Sequence, residues 1–265
     1  KSLKHMKSPE KVIDYIVNWL NDYADKSGMN GFVVGVSGGI DSALTSSLCA
    51  LTGKPVLCLE MPIHQEANQV TRAQEHIAWL ESKYPNVRHH SLSLTGVFES
   101  FQELLPPTTD EASTFLSLAN TRARLRMTTL YYFAALERYL VAGTGNKIED
   151  FGVGFYTKYG DGGVDLSPIA DLMKSEVFLL AKNLGVIDSI QQAAPTDGLW
   201  GDNRTDEDQM GATYNELEWA MKHVNSTSEH DTDRQKEVRA IYKKLHSQNQ
   251  HKMQPIPVCE IPMDL

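Results

Sequence analysis

Three cysteines in 265 residues, none in a CxxC pair, leave no disulfide framework to read. Cys49 falls in a helical pattern, Cys58 in an apolar strand-like run and Cys259 near the tail, as packed or free thiols in a reducing compartment would. A basic excess is also missing. Against 34 acidic residues stand 25 Lys and Arg, a net charge of −9, so a nucleic-acid partner is not expected. A local anion site on an acidic protein remains open. No apolar run approaches a membrane span, and the opening KSLKHMKSPEK has no apolar signal segment. A soluble, cytoplasmic protein with no membrane partner is therefore expected. No Pro/Gly/Ser-rich linker, internal repeat or low-complexity tract divides the chain, which points to one domain over 1–265. Two phosphate-loop signatures are absent as well: GxxxxGK[ST] and GxGxxG.

What is present is alternation. PEKVIDYIVNWLNDYA puts Val12, Ile13, Ile16, Val17, Leu20 and Tyr23 on one stripe, which predicts an N-terminal helix over 9–25. GFVVGV and PVLCLEMP read as short buried strands, each followed by a helical pattern, SALTSSLCAL and EANQVTRAQEHIAWLESKY. HHSLSL is expected as a third strand, GVFESFQELL as a helix, 113–139 as a long helix, and LVAGTGN as a strand running into a loop. MKSEVFLLAKNLG predicts a further helix, and the polar stretch 200–208 a mobile loop. Strands alternating with helices imply an α/β fold with a doubly wound, mostly parallel sheet flanked by helices. The boundaries expected are a core over 31–200 and a C-terminal helical and loop region over 201–265. Trp19, Trp79 and Trp219 fall on helical stripes and suit a core or an interface.

The stretch VVGVSGGIDSALTSSL carries the chemistry. Ligands of a doubly wound sheet sit beyond the carboxyl ends of its strands, and the loop here is Ser37-Gly38-Gly39-Ile40-Asp41-Ser42. Glycines let the backbone approach an anion, and the following helix offers unpaired N–H groups and the positive end of its dipole. A carboxylate inside such a cradle repels a phosphate unless a cation lies between them; Mg2+ suits one or two carboxylates plus phosphate oxygens. The plainer alternative is a Gly-Gly turn with Asp41 as a helix cap.

SGGIDS resembles the SGGxDS loop of the ATP pyrophosphatase superfamily, whose members cleave ATP between the α and β phosphates. Within it, NTRARLRM at 120–127, GTGNKIE at 143–149, FYTKYGDGGVDLSPIADLMKSEV at 155–177, APTDGL at 194–199 and QHKMQPIP at 250–257 resemble the ammonia-dependent NAD synthetases. The resemblance implies an adenine nucleotide alpha hydrolase-like fold and a nucleotide-binding core. It implies ATP contacts at Gly35, Val36, Ser37, Gly38, Gly39, Ile40, Asp41, Ser42, Thr144, Lys174 and Thr196, with Asp41 and Glu149 as Mg2+ ligands. Deamido-NAD would meet Arg124, Arg126, Phe155, Lys158, Asp165, His251 and Lys252, and ammonia would be held near Asp161 and Asp165. Arg124 and Arg126, two residues apart, cannot share one helical face; one is expected to reach a ligand while the other packs or pairs.

Each of these has an ordinary counterpart. The arginines at 122, 124 and 126 could form a solvated face, the Gly160, Gly162, Gly163 cluster a simple turn, and His251 surface decoration. Lys174 at a helix start opposes the dipole and so calls for an anion. GTGNKIED departs from the GTDHAAE form common in the resembled family, and Gln209 stands where an acidic residue is expected. The implied reaction is amidation of deamido-NAD through an acyl-adenylate, the last step of NAD biosynthesis, yielding AMP and pyrophosphate. Free ammonia is the expected donor, since no glutamine-hydrolysing module with its own nucleophilic cysteine is apparent. A homodimer built on the helix at 113–139 is implied by the resemblance alone.

Overall fold

The computed structural model describes residues 8–196, 205–226 and 230–263. Helix α1, Pro9–Ser27, starts at a Ser8 cap whose side chain accepts the Lys11 N–H, with Pro9 in the first turn. It ends at Gly28, whose φ of 66° is left-handed. Its stripe of Ile13, Ile16, Leu20 and Ala24 is buried, while Trp19 stays 38% exposed.

Strand β1, Gly31–Gly35, leads into helix α2, Ile40–Leu51; β2, Val56–Glu60, leads into α3, Ala67–Lys83; β3, Val87–Ser91, leads into α4, Thr95–Glu103. The long helix α5, Glu111–Glu137, precedes β4, Tyr139–Val141. A π-helical segment, Ile148–Val153, is followed by α6, Lys174–Asn183, α7, Asp188–Gln191, α8, Asp206–Met210, α9, Tyr214–His223, and α10, Asp233–Met253.

The four strands pair in parallel in the order β3-β2-β1-β4, with Val33 beside Leu57 and Val141. β2 is buried throughout and β1 in all but its last residue, because helices cover both faces of a parallel sheet. One face packs Phe32, Val34, Leu44, Leu48 and Leu180, the other Val33, Leu57, Leu59 and Val141. Each fully buried Leu or Phe contributes about 1.5–3 kcal/mol. A separate cluster of Ile148, Met210, Leu217, Val238 and Tyr242 binds the π-helical segment to α9 and α10.

Several sequence expectations shift. The third strand runs 87–91 rather than through HHSLSL, and only Val87 in it is buried, so apolar alternation had little to mark. Helix α5 stops before Tyr139, since Arg138 turns left-handed at φ 57° and releases Tyr139 into β4. Of the loop expected at 200–208, residues 200–204 lie outside the described residues. Residues 206–208 are helical, because Thr205 and Asp208 form a capping box. Cys49 and Cys58 are buried and Cys259 is exposed, all as free thiols. Among the described residues no helix is long and apolar enough to cross a membrane.

Candidate active site

The strand order reverses between β1 and β4, and there the loops leaving the two strands part to form a crevice. A cavity of about 260 Å3 opens at this point. Its floor is the run Gly35, Val36, Ser37, Gly38, Gly39, Ile40, Asp41 and Ser42; Thr144, Glu149, Phe155, Asp161, Lys174, Thr196 and Arg126 also line it.

Gly38 makes the turn possible. Its φ of 84° is left-handed, and a Cβ there would stand 2.6 Å from the Gln69 carbonyl oxygen. The Ser42 hydroxyl ties the loop by donating to the Gly39 carbonyl at 3.1 Å and accepting the Ser37 N–H at 3.2 Å. Gly39 caps α2 without a side-chain hydrogen bond to the first turn. That leaves the N-terminal amides and the dipole directed at the cavity, where an anion is favoured.

Asp41 and Glu149 arrive from opposite sides of the crevice and share one cation, the Lys174 ammonium. Lys174 donates to Asp41 Oδ2 and, at 3.1 Å, to Glu149 Oε1, and its nitrogen lies 4.6 Å from the centre of the Tyr214 ring. The lysine side chain is 4% exposed, the two carboxylates 17% and 15%. Burial alone would lower the lysine pKa, but Asp41 and Glu149 overcome it and hold the ammonium charged. Loss of hydration pushes Asp41 up, with Lys174 and the Asn146 amide opposing the shift and Glu149 adding to it.

More groups surround this trio than its motifs announced. Tyr214 donates to Glu149 Oε1 at 2.6 Å and to Asp206 Oδ2 at 3.3 Å. Asn146 donates to Asp41 Oδ1 at 3.1 Å and is itself fully buried. Burial and the nearby Glu149, Asp161 and Asp41 raise Asp150 well above the usual carboxylate range. Asp161 lines the cavity, reached by solvent yet surrounded by protein; the loss of hydration pushes it up to about 6, against the N–H bond it accepts from Thr157. Among the described residues no cluster of three or more His, Cys, Asp or Glu side chains has the arrangement of a metal cage.

Arg124, Lys158, His251 and Lys252 lie together in a second cluster. Arg124 donates through Nε and Nη2 to the Lys158 carbonyl, each at 3.2 Å, and the Lys158 ammonium donates to the His251 carbonyl at 2.9 Å. Lys252 donates to the carbonyls of Gly154 and Tyr156 at 2.9 and 2.7 Å, anchoring the end of α10 to the KYGDGG loop. The two arginines diverge as their spacing requires: Arg126 turns inward, donating to the Met61 carbonyl at 3.0 Å and to Gln65 Oε1 at 2.9 Å. Asp165 does not join Asp161. It accepts from the Tyr131 hydroxyl at 2.9 Å and the Val141 N–H at 2.8 Å, bracing the sheet edge.

The sequence profile of the NAD synthase family matches residues 12–256. The chain belongs to that family. An NH(3)-dependent NAD(+) synthetase of Methanosarcina acetivorans is 34% identical over 260 residues, 95% of this chain and 98% of the relative. One of Carboxydothermus hydrogenoformans is 36% identical over 255 residues, 96% and 98%. Among solved structures, an NMN synthetase from Francisella tularensis superposes with a TM-score of 0.85 at 33% identity, covering 96% of this chain and 99% of that one. The parallel sheet flanked by helices is thus the fold of that family's solved relative, as the sequence led one to expect.

Proposed function

We propose that this chain is a carbon–nitrogen ligase that amidates deamido-NAD with ammonia at the expense of ATP, giving NAD, AMP and pyrophosphate. The nicotinate carboxylate attacks the α-phosphorus of ATP, pyrophosphate leaves, and an acyl-adenylate forms. Ammonia, having lost a proton from ammonium, then adds to the activated carbonyl, and AMP departs as the amide forms. Adenylation exchanges an oxide leaving group for a phosphate monoester, the general gain of covalent activation. The observation that carries this reading is the convergence of Asp41, after β1, and Glu149, beyond β4, on one cation beside an open helix N-terminus.

The residues divide the work. The loop from Gly35 to Ser42, with Thr144, Lys174 and Thr196, binds and orients ATP. Asp41 and Glu149 are the residues that would hold a Mg2+, since this ion is usually bound by one or two carboxylates beside a nucleotide's phosphates. That ion, when bound, neutralises charge on the departing pyrophosphate. Lys174 already joins both carboxylates, so its ammonium is placed to follow the phosphate charge as it develops. Arg124, Arg126, Phe155, Lys158, Asp165, His251 and Lys252 serve the dinucleotide. Asp161 receives ammonium; Asp165, engaged by Tyr131 and β4, is the weaker candidate.

Helix α5 suits a homodimer. Of its 27 residues only Ala119, Ala123 and Ala134 are buried, and Phe115, Leu116, Tyr132 and Leu136 are between 49% and 64% exposed. A second copy would cover that surface.

Asp41→Asn and Glu149→Gln should each lower NAD formation on the order of 10²- to 10³-fold while the protein stays folded. Rates like the parent's at saturating Mg2+ in either variant would sink the assignment. The likeness to an NMN synthetase favours one second reading, nicotinate mononucleotide as the acceptor. Comparing kcat/KM for the two acceptors decides it. We expect the dinucleotide to lead; a lead for the mononucleotide would reassign the acceptor and leave the adenylation chemistry in place.

A further inference from the structure

Position 146, in the GTGNKIED run, holds a side chain that, like Lys174, is in contact with both arms of the site. Asn146 is completely buried. Its carbonyl oxygen accepts the N–H groups of Ile148 and Glu149, both at 3.1 Å, which fixes the start of the π-helical segment carrying Glu149. Its amide nitrogen donates to Asp41 Oδ1 at 3.1 Å.

The orientation of this amide is forced. With its oxygen already facing two backbone donors, a flipped side chain would set an NH2 against two N–H groups and an acceptor against a carboxylate. Asp41 Oδ1 therefore always meets a donor, and Oδ2 is the oxygen turned toward Lys174. The loops after β1 and beyond β4, 105 residues apart at this contact, are joined through one planar group. We infer that Asn146 is a positioning residue for the reaction, setting the mutual placement of Asp41 and Glu149 and leaving Asp41 Oδ2, the oxygen that meets Lys174, as the one that faces a cation. The inference rests on the proposed roles of those two carboxylates. Ligand carboxylates commonly depend on such neighbours, whose removal lowers affinity or activity by about 10- to 100-fold.

The test compares Asn146→Ala, which removes donor and acceptor, with Asn146→Asp, which keeps the shape and the acceptor but places an oxygen against Asp41. Acceptor-dependent ATP–pyrophosphate exchange gives kcat and KM; thermal unfolding with and without Mg2+ and a non-hydrolysable ATP analogue gives binding apart from turnover. We expect exchange to fall about tenfold or more in both variants, the aspartate variant falling at least as far as the alanine variant, with the stabilisation by Mg2+ and analogue reduced in each. The KM for ammonia in the full reaction should not move. If the alanine variant does not fold, the near-isosteric aspartate variant still decides the matter. An aspartate variant within about threefold of the parent in exchange, about 0.65 kcal/mol, or an unchanged response to Mg2+ and analogue, would overturn the inference. Asp41→Asn and Glu149→Gln run alongside: if they retain activity, the reading of the site fails; if they lose it while Asn146→Asp does not, only the role of Asn146 fails.

Discussion

Replacing Lys174 by methionine removes the one ammonium that Asp41 and Glu149 share while keeping most of the side chain's volume. The lysine is 4% exposed and the carboxylates 17% and 15%, so little water is present to take over the lost charge. Deleting one partner of a buried ion pair costs about 3–5 kcal/mol, mostly the cost of charges left uncompensated. Both carboxylates lose their partner here, which places the expected loss toward the upper end. Stability near 5–15 kcal/mol allows the variant to stay folded, with its unfolding temperature lowered by about 10 °C. The pH dependence carries the physics. Without the ammonium that opposes it, burial and the charge of Glu149 push Asp41 up further, so the folded variant binds more protons than its unfolded chain and loses stability as pH rises. The gap between parent and variant in urea unfolding should be wider at pH 8 than at pH 5. Millimolar Mg2+ should restore part of it, about 1.4 kcal/mol at ten times the dissociation constant. A loss under about 1 kcal/mol at pH 8, or a gap that does not change with pH, would refute the shared-cation account.

His76, fully buried and hydrogen-bonded to the Ser46 hydroxyl at 2.9 Å, is pushed down to about 4 by burial. The unfolded chain therefore binds an extra proton below about pH 6.5, and stability should fall by about 3 kcal/mol as pH drops from 6.5 toward 4. In His76→Gln that decline should flatten; an equal slope in both proteins contradicts the burial argument. Gly38→Ala places a Cβ against the Gln69 carbonyl at a left-handed position, and should cost about 1–3 kcal/mol in thermal unfolding together with most ATP-dependent turnover. Parent-like turnover would show that the loop does not need its turn.

What could be read in the sequence follows from how local each signal is. The strand, glycine loop and helix around residues 31–51 were legible because apolar run, paired glycines and helical pattern are contiguous. The end of α5 was not, since Arg138 takes the left-handed turn without a glycine to mark it. The helix at 206–210 did leave a signal, Thr205 followed three residues later by Asp208, inside a stretch too polar for periodicity to show. Lys174 at a helix start called for an anion, and the structure pairs it with two carboxylates that lie 133 and 25 residues away in the chain. Asn146 stood out only as a departure, while Tyr214 and Asp206 reach Glu149 and Lys174 through tertiary packing of α8 and α9 that no spacing encodes. Asp165 was a candidate alongside Asp161 for holding ammonium, yet its hydrogen bonds go to Tyr131 and β4.

On the proposed reading the site breaks ATP between its α and β phosphates, and the products of one turnover report that directly. With ATP, deamido-NAD, ammonium and Mg2+ supplied, phosphorus NMR should show one AMP and one pyrophosphate appearing for each NAD formed. ADP and inorganic phosphate in their place would contradict the account at its centre.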